Sequence, residues 1–147
     1  MPSLKVKEEN LYAFIMLTSQ SIIQADTQKV WDILKDKVFN PIAYIPGIEN
    51  FEIKERAENE HIRTLFMELD DVIELIIINE EEKTITSSFV RHGFLKGTLL
   101  NKVEKTKEGT LLIFEQDREI TIEELKDMDM QPALDAAVQQ IKELAEA

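Results

Sequence analysis

Read as apolar and polar positions, the chain changes period twice. Leu11 to Ile23, LYAFIMLTSQSII, is rich in β-branched and aromatic residues and predicts a first strand. Asp26 and Thr27 are cap-type residues, and the apolar Val30, Trp31, Leu34 and Val38 that follow share a helical stripe. That short helix must end before Pro41, because a residue preceding proline is driven out of the helical region. A second short helical piece around Ile42 to Tyr44 is stopped by Pro46-Gly47.

Strand character then returns in Ile48 to Arg56, His61 to Leu69, Val72 to Asn79, Thr84 to Arg91, Leu95 to Lys105 and Thr110 to Ile120. Turn chemistry separates them, at Glu58-Asn59-Glu60, Asp70-Asp71, Glu80 to Lys83, His92-Gly93 and Lys107-Glu108-Gly109. Connections this short make an antiparallel meander. The C-terminus reverts to helical period: Leu134, Val138, Ile141 and Ala145 form one stripe, with Pro132 in the first turn, where a missing N–H costs nothing. Ile122 to Met130 predicts a further helical turn or two before it.

The element order implies an architecture. The sequence predicts seven antiparallel strands with one long amphipathic helix to cover them, which is too little cover for a flat sheet. A twisted sheet curls around that helix, and the short helix pair between strands one and two closes the rim. The space left between sheet, helix and rim is a candidate apolar cavity.

Composition narrows the partners. A chain of 147 residues is expected to form a single domain over residues 1–147, long enough to bury roughly 70% of its unfolded surface. The net charge of -12 argues against nucleic acid and anionic membrane surfaces, which would repel it. There is no cysteine, so disulfides, thiol catalysis and thiolate metal sites are excluded. MPSLKVKEEN lacks the apolar core of a signal peptide, and no apolar run approaches membrane-spanning length, so a cytoplasmic protein without membrane insertion is expected. His61 and His92 are the only imidazoles, both expected to be exposed, and no spacing supports a metal site. No phosphate-binding glycine motif and no nucleophile elbow is present, and no cofactor is expected.

The order of elements, with ADTQKVWDIL after the first strand and ALDAAVQQIKELAEA as the last helix, resembles the SRPBCC (START/Bet v 1-like) superfamily. Within it, FNPIAYIPGIENFEIKER and GTLLNKVEKTKEGTLLIFE are similar to the AtaL-like group. The resemblance spans residues 10 to 146 and implies an α+β helix-grip fold. It also implies a function drawn from lipid and hormone carriers, polyketide aromatase/cyclases and ring-hydroxylase subunits. It carries no catalytic signature to particular positions.

Candidate cavity residues follow from this frame. Glu74, set in VIELIII, is either a pocket acid or ligand anchor or an outward-facing residue. Arg91 is either a partner for Glu74 or for a ligand carboxylate, or a rim arginine reaching water. Trp31 and Tyr44 lie on the helix pair, Phe66, Phe89, Leu99 and Phe114 on the sheet, and Val138 on the long helix; all are placed as candidate ligand contacts. Glu115, Asp117 and Arg118 stay unassigned, because two hairpin registers exchange their faces.

Three function classes remain. One is a carrier or sequestering module for a small apolar or amphipathic molecule, the reading favoured by the lack of a catalytic pair. Another is a cyclase-like enzyme using the same cavity. The third is a structural or regulatory partner whose cavity is filled by Phe51, Phe66, Phe89 and Phe114.

Overall fold

The computed structural model describes residues 3–7, 12–68, 71–91, 96–121 and 130–147. The strands are β1 (Ser3–Lys7), β2 (Tyr12–Ile23), β3 (Ile48–Ala57), β4 (Glu60–Met67), β5 (Val72–Asn79), β6 (Thr84–Arg91), β7 (Lys96–Lys105) and β8 (Thr110–Thr121). Helix α1 (Thr27–Phe39) and a 3-10 turn (Pro41–Ala43) stand between β2 and β3, and helix α2 (Met130–Glu146) ends the chain. The strands form one antiparallel sheet in the order β1-β2-β8-β7-β6-β5-β4-β3. The seven expected strands are therefore present, and an eighth, β1, extends the sheet beyond β2. Its LKVK alternation is short and lies beside polar residues, so periodicity alone does not mark it. The helical turn expected over Ile122 to Met130 lies outside the described residues except for Met130, which opens α2.

Why the sheet buries one face is visible in the registers. Opposed residues share a face, and Ser19 opposite Phe114, Asn101 opposite Phe114 and Ile85 opposite Asn101 run as a continuous inward row. Those strands meet the stripes of both helices. Val30, Trp31, Leu34 and Val38 of α1 and Leu134, Val138, Ile141 and Ala145 of α2 join Ile15, Leu17, Ile76, Ile78, Ile85, Val103, Leu112 and Phe114 in one core. The same register settles the end of β8. Glu115 and Asp117 lie on the face opposite Phe114, and Gln116 and Arg118 lie on its side.

Helix α2 is stitched to β2 by polar bonds along its length. Gln131 Nε2 donates to the Thr18 carbonyl at 3.0 Å, Lys142 Nζ to the Ile22 carbonyl at 2.9 Å, and Glu146 Oε2 accepts from the Gln24 amide at 2.7 Å. The Ser19 hydroxyl, then the Gln131 amide, holds the Asp135 carboxyl below its ordinary value. A tight turn fixes the far end. Gly109 has φ +146° and sits so close to β2 that an added Cβ would lie 2.6 Å from the Ile23 carbonyl oxygen, so only glycine fits there. No helix among the described residues is long and apolar enough to cross a membrane.

Deleting residues 131–147 removes the whole α2 stripe from the core. The truncated chain is expected to lose its cooperative thermal transition, measured by near-ultraviolet circular dichroism. A transition near that of the intact protein would refute the role given to α2.

Candidate functional site

The C-terminal end of α1 overhangs the inner face of β4 and β5, and an arginine joins the two. Arg63 and Glu74 stand opposite each other in the β4–β5 ladder, 4% and 5% exposed. Arg63 donates through Nε at 3.0 Å and Nη2 at 2.8 Å to the same Glu74 oxygen, Oε1. Its Nη1 donates to the carbonyls of Lys37 and Val38, at 3.1 Å and 2.9 Å. Those carbonyls belong to the last turn of α1, which has no intrahelical donors for them. A cation at that end also complements the helix dipole. Four of the five guanidinium N–H groups are thus engaged, which is what a charge needs to stay buried.

The cation described on Glu74 is Arg63, which sequence reasoning did not single out. A bulge in the β5–β6 ladder leaves Val90 unpaired and sets Arg91 opposite Ile73, while Glu74 faces Phe89. The Arg91 side chain and His92 lie outside the described residues.

Around the pair lies a cavity of about 210 Å³, lined by α1 and β4 to β7. Its apolar wall includes Leu34, Ile45, Phe89 and Leu99, and its polar groups are Lys37, Arg63, Glu74, Ser87 and Asn101. A second cavity of about 410 Å³ adjoins it at Ile45 and Leu99 and runs under α2, lined by Phe114, Gln116, Met130, Leu134 and Ala137. Small-molecule sites usually hold roughly 300–1,000 Å³; the second cavity falls in that range and the first just below it, with Ile45 and Leu99 lining both.

Two polar groups in the first cavity are unusual. Asn101 is 8% exposed, and its Nδ2 has no hydrogen-bond partner among the described residues. A buried donor left unpaired costs about 1–3 kcal/mol. Lys37 extends from the end of α1 so that its Nζ lies 5.4 Å from the centroid of the fully buried Phe114 ring. Among the described residues no carboxylate lies within ion-pair reach of it. Burial first, and the Arg63 charge second, lower its pKa to about 8, with Glu74 opposing.

The remaining sequence candidates divide. Glu74, Phe89 and Leu99 line the first cavity, and Leu99 and Phe114 line the second. Trp31 is fully buried in the core, and its Nε1 donates to Glu80 Oε2 at 2.8 Å, so it lines neither. The Lys35 and Trp31 hydrogen bonds hold the Glu80 carboxyl below its ordinary value. Tyr44 donates to Asp36 Oδ2 at 2.6 Å, and burial with that bond pushes its phenol up to about 12; its neighbour Ile45, not Tyr44, reaches the cavities. Phe66 follows inward Leu65 and so lies on the outer face, and Val138 packs within the core without lining either cavity. His61 is half-buried rather than exposed, edge-on to Phe39 at 5.1 Å.

Sequence reasoning missed Lys37, Arg63, Ser87 and Asn101. A signal existed for three of them: Lys37 falls on the stripe of Leu34 and Pro41, and Arg63 and Asn101 share the alternation of Leu65 and of Leu99 and Val103.

No family profile matches the sequence, and no curated protein matches it. Solved structures do. The Zhui aromatase/cyclase from Streptomyces sp. R1128 superposes with a TM-score of 0.73 at 14% identity, covering 90% of this chain and 94% of its own. Norcoclaurine synthase from Thalictrum flavum, in complex with dopamine and hydroxybenzaldehyde, gives 0.70 at 13% identity, covering 91% and 87%. TTHA0849 from Thermus thermophilus gives 0.70 at 16%, covering 87% and 94%. These neighbours share the helix-grip fold seen here, a curved antiparallel sheet with a long C-terminal helix. At such identities the likeness concerns the fold alone; in this chain the first cavity lies between α1 and the sheet and the second between the sheet and the long helix.

Two outcomes test the site. Arg63→Met leaves Glu74 buried without its cation and is expected to cost about 3–5 kcal/mol in urea unfolding, whereas Arg63→Met with Glu74→Leu recovers most of that loss. If the double variant is no more stable than the single one, the pair is not the buried ion pair described.

Lys37 gives a pH signature. Its folded pKa of about 8 lies below the ordinary 10.5, so between these values the unfolded chain holds more protons and stability rises with pH. Relative to Lys37→Met, the protein is expected to gain on the order of 1–3 kcal/mol from pH 8 to 10.5, read by denaturant titration. A flat difference would place the ammonium in water.

Proposed function

We propose that the protein binds a small, largely apolar molecule carrying an oxygen acceptor, held in the cavity between α1, α2 and the sheet. The observation that carries this reading is Asn101: a donor buried and unpaired on the wall of a cavity whose Arg63 and Glu74 charges are paired with each other. Folding alone gains nothing from it, since an apolar residue of that size would remove the cost. A ligand carbonyl, ester or carboxylate oxygen supplies the missing acceptor, while Leu34, Phe89 and Leu99 take the apolar body.

The wider comparisons support the class of ligand. Similar folds include proteins titled as polyketide aromatase/cyclases, the di-domain StfQ of steffimycin biosynthesis among them, and a synthase solved with two small aromatic compounds. An aromatic or polyketide-like molecule is therefore the class placed first, with a carrier or sequestering role ahead of a cyclase-like one. The cyclase reading keeps its force because the same cavity holds an amine with lowered proton affinity. The grouping with the AtaL-like proteins and a cytoplasmic setting accord with this reading, which does not depend on either.

A fluorescence titration checks it. An environment-sensitive hydrophobic dye is expected to bind the native protein saturably, and 2-acetonaphthone to displace it. Asn101→Leu is expected to weaken the ketone about tenfold while leaving 2-ethylnaphthalene, which lacks the oxygen, unchanged or slightly tighter. Equal effects on both compounds would remove Asn101 from recognition, and no saturable binding would remove the ligand site itself.

A further inference from the structure

We propose that Lys37 is a carbonyl-capturing amine, whose Nζ condenses reversibly with an aldehyde or unhindered ketone bound in the cavity to give an imine. The inference rests on the cavity being a ligand site and names the substrate class of that site.

The geometry has three parts. Lys37 borders the same cavity as Asn101, and its Nζ lies over the Phe114 ring with no carboxylate in ion-pair reach among the described residues. Glu74, the carboxylate on the same cavity wall, is already committed through Oε1 to Arg63. Arg63 is fixed in turn by two backbone carbonyls, so it stays in place as a neighbouring positive charge. An amine desolvated by burial, beside a cation and with no anion in ion-pair reach, is the arrangement that makes a lysine nucleophilic near neutral pH. Asn101 supplies the complementary part: its unpaired Nδ2 donates to the carbonyl oxygen while the amine attacks the carbonyl carbon.

The step balances without an outside reagent. The neutral amine forms the Nζ–C bond to give a carbinolamine. The former carbonyl oxygen then leaves as water with the two amine protons, and the C=N bond remains. Nothing is oxidised or reduced. A carboxylate ligand offers no such chemistry and would instead pair with the ammonium and raise its proton affinity.

The test uses the intact protein, 2-naphthaldehyde as probe, and cyanoborohydride to reduce any imine to a stable secondary amine. Dye displacement is read in parallel. The expected result at pH 7.5 is a single cavity adduct mapped by peptide mass to Lys37, formed roughly tenfold or more faster than at any other lysine, because far more of this amine is unprotonated. The rate should rise with a midpoint near pH 8 and fall when the dye fills the cavity. The α-amino group, which also titrates near pH 8, is separated by the mapping and should ignore the dye. Lys37→Arg, which keeps a charge but has no condensing amine, should give no cavity adduct.

Displacement of the dye by the aldehyde with no adduct at Lys37 would overturn this inference and leave the ligand site standing. Trapping spread evenly over several lysines, or unchanged in Lys37→Arg, would overturn it as well. Absence of saturable dye binding, together with adducts only at surface amines, would instead overturn the ligand site on which it rests.

Discussion

The Arg63–Glu74 ion pair organises the interior of this protein. Arg63 belongs to β4 but completes the hydrogen bonding of α1, through the carbonyls of Lys37 and Val38. Without such a donor the last turn of that helix would end in an apolar space with its carbonyls unmet. The pair thus fixes how far the end of α1 stands above the sheet, and that separation is the height of the first cavity. It also touches the electrostatics: burial is the main cause of the lowered proton affinity of Lys37, the guanidinium that caps the helix adds to it, and Glu74 opposes it. One interaction therefore bears on helix placement and cavity shape together.

Much of the fold is legible in the sequence because it rests on period. The stripes of α1 and α2 and the alternating strands are local patterns, and each matches the elements observed: Val30, Leu34 and Val38 face inward, as do Leu134, Val138 and Ile141. The resemblance of the chain's element order to the helix-grip fold agrees with the sheet order and the long terminal helix. Register is what the sequence hides. VIELIII is apolar on both faces, so the side taken by Glu74 is decided only by its ladder partner. The Val90 bulge shifts Arg91 out of line with Phe89, and no composition signal marks it.

The site is less legible for a related reason. A sequence presents polar residues singly, whereas burial of a charge is a property of pairs. Arg63 in HIRTLFM has the look of an ordinary surface arginine until Glu74 stands opposite it. Trp31 and Tyr44 fall near the expected ligand by their position on the helix pair, but each is tied outward by a polar handle, to Glu80 and to Asp36. Aromatic rings with such a tether pack where the tether holds them, and aliphatic Ile45 and Leu99 line both cavities instead.

The interior also bears on whether this space is merely a gap in the packing. Of the phenylalanines that could have filled it, Phe66 lies on the outer face and Phe51 is half-buried on β3, near the open edge of the sheet. Phe89 and Phe114 line the cavities without closing them. A scaffold shaped only for stability would place leucine at positions 37 and 101, removing a desolvated amine and an unpaired amide at once. Both costs fall on the same cavity wall, beside an arginine whose own charge is fully met. Two uncompensated polar groups converging on one cavity is the pattern of a site awaiting a polar partner, and that partner must bring its own acceptor.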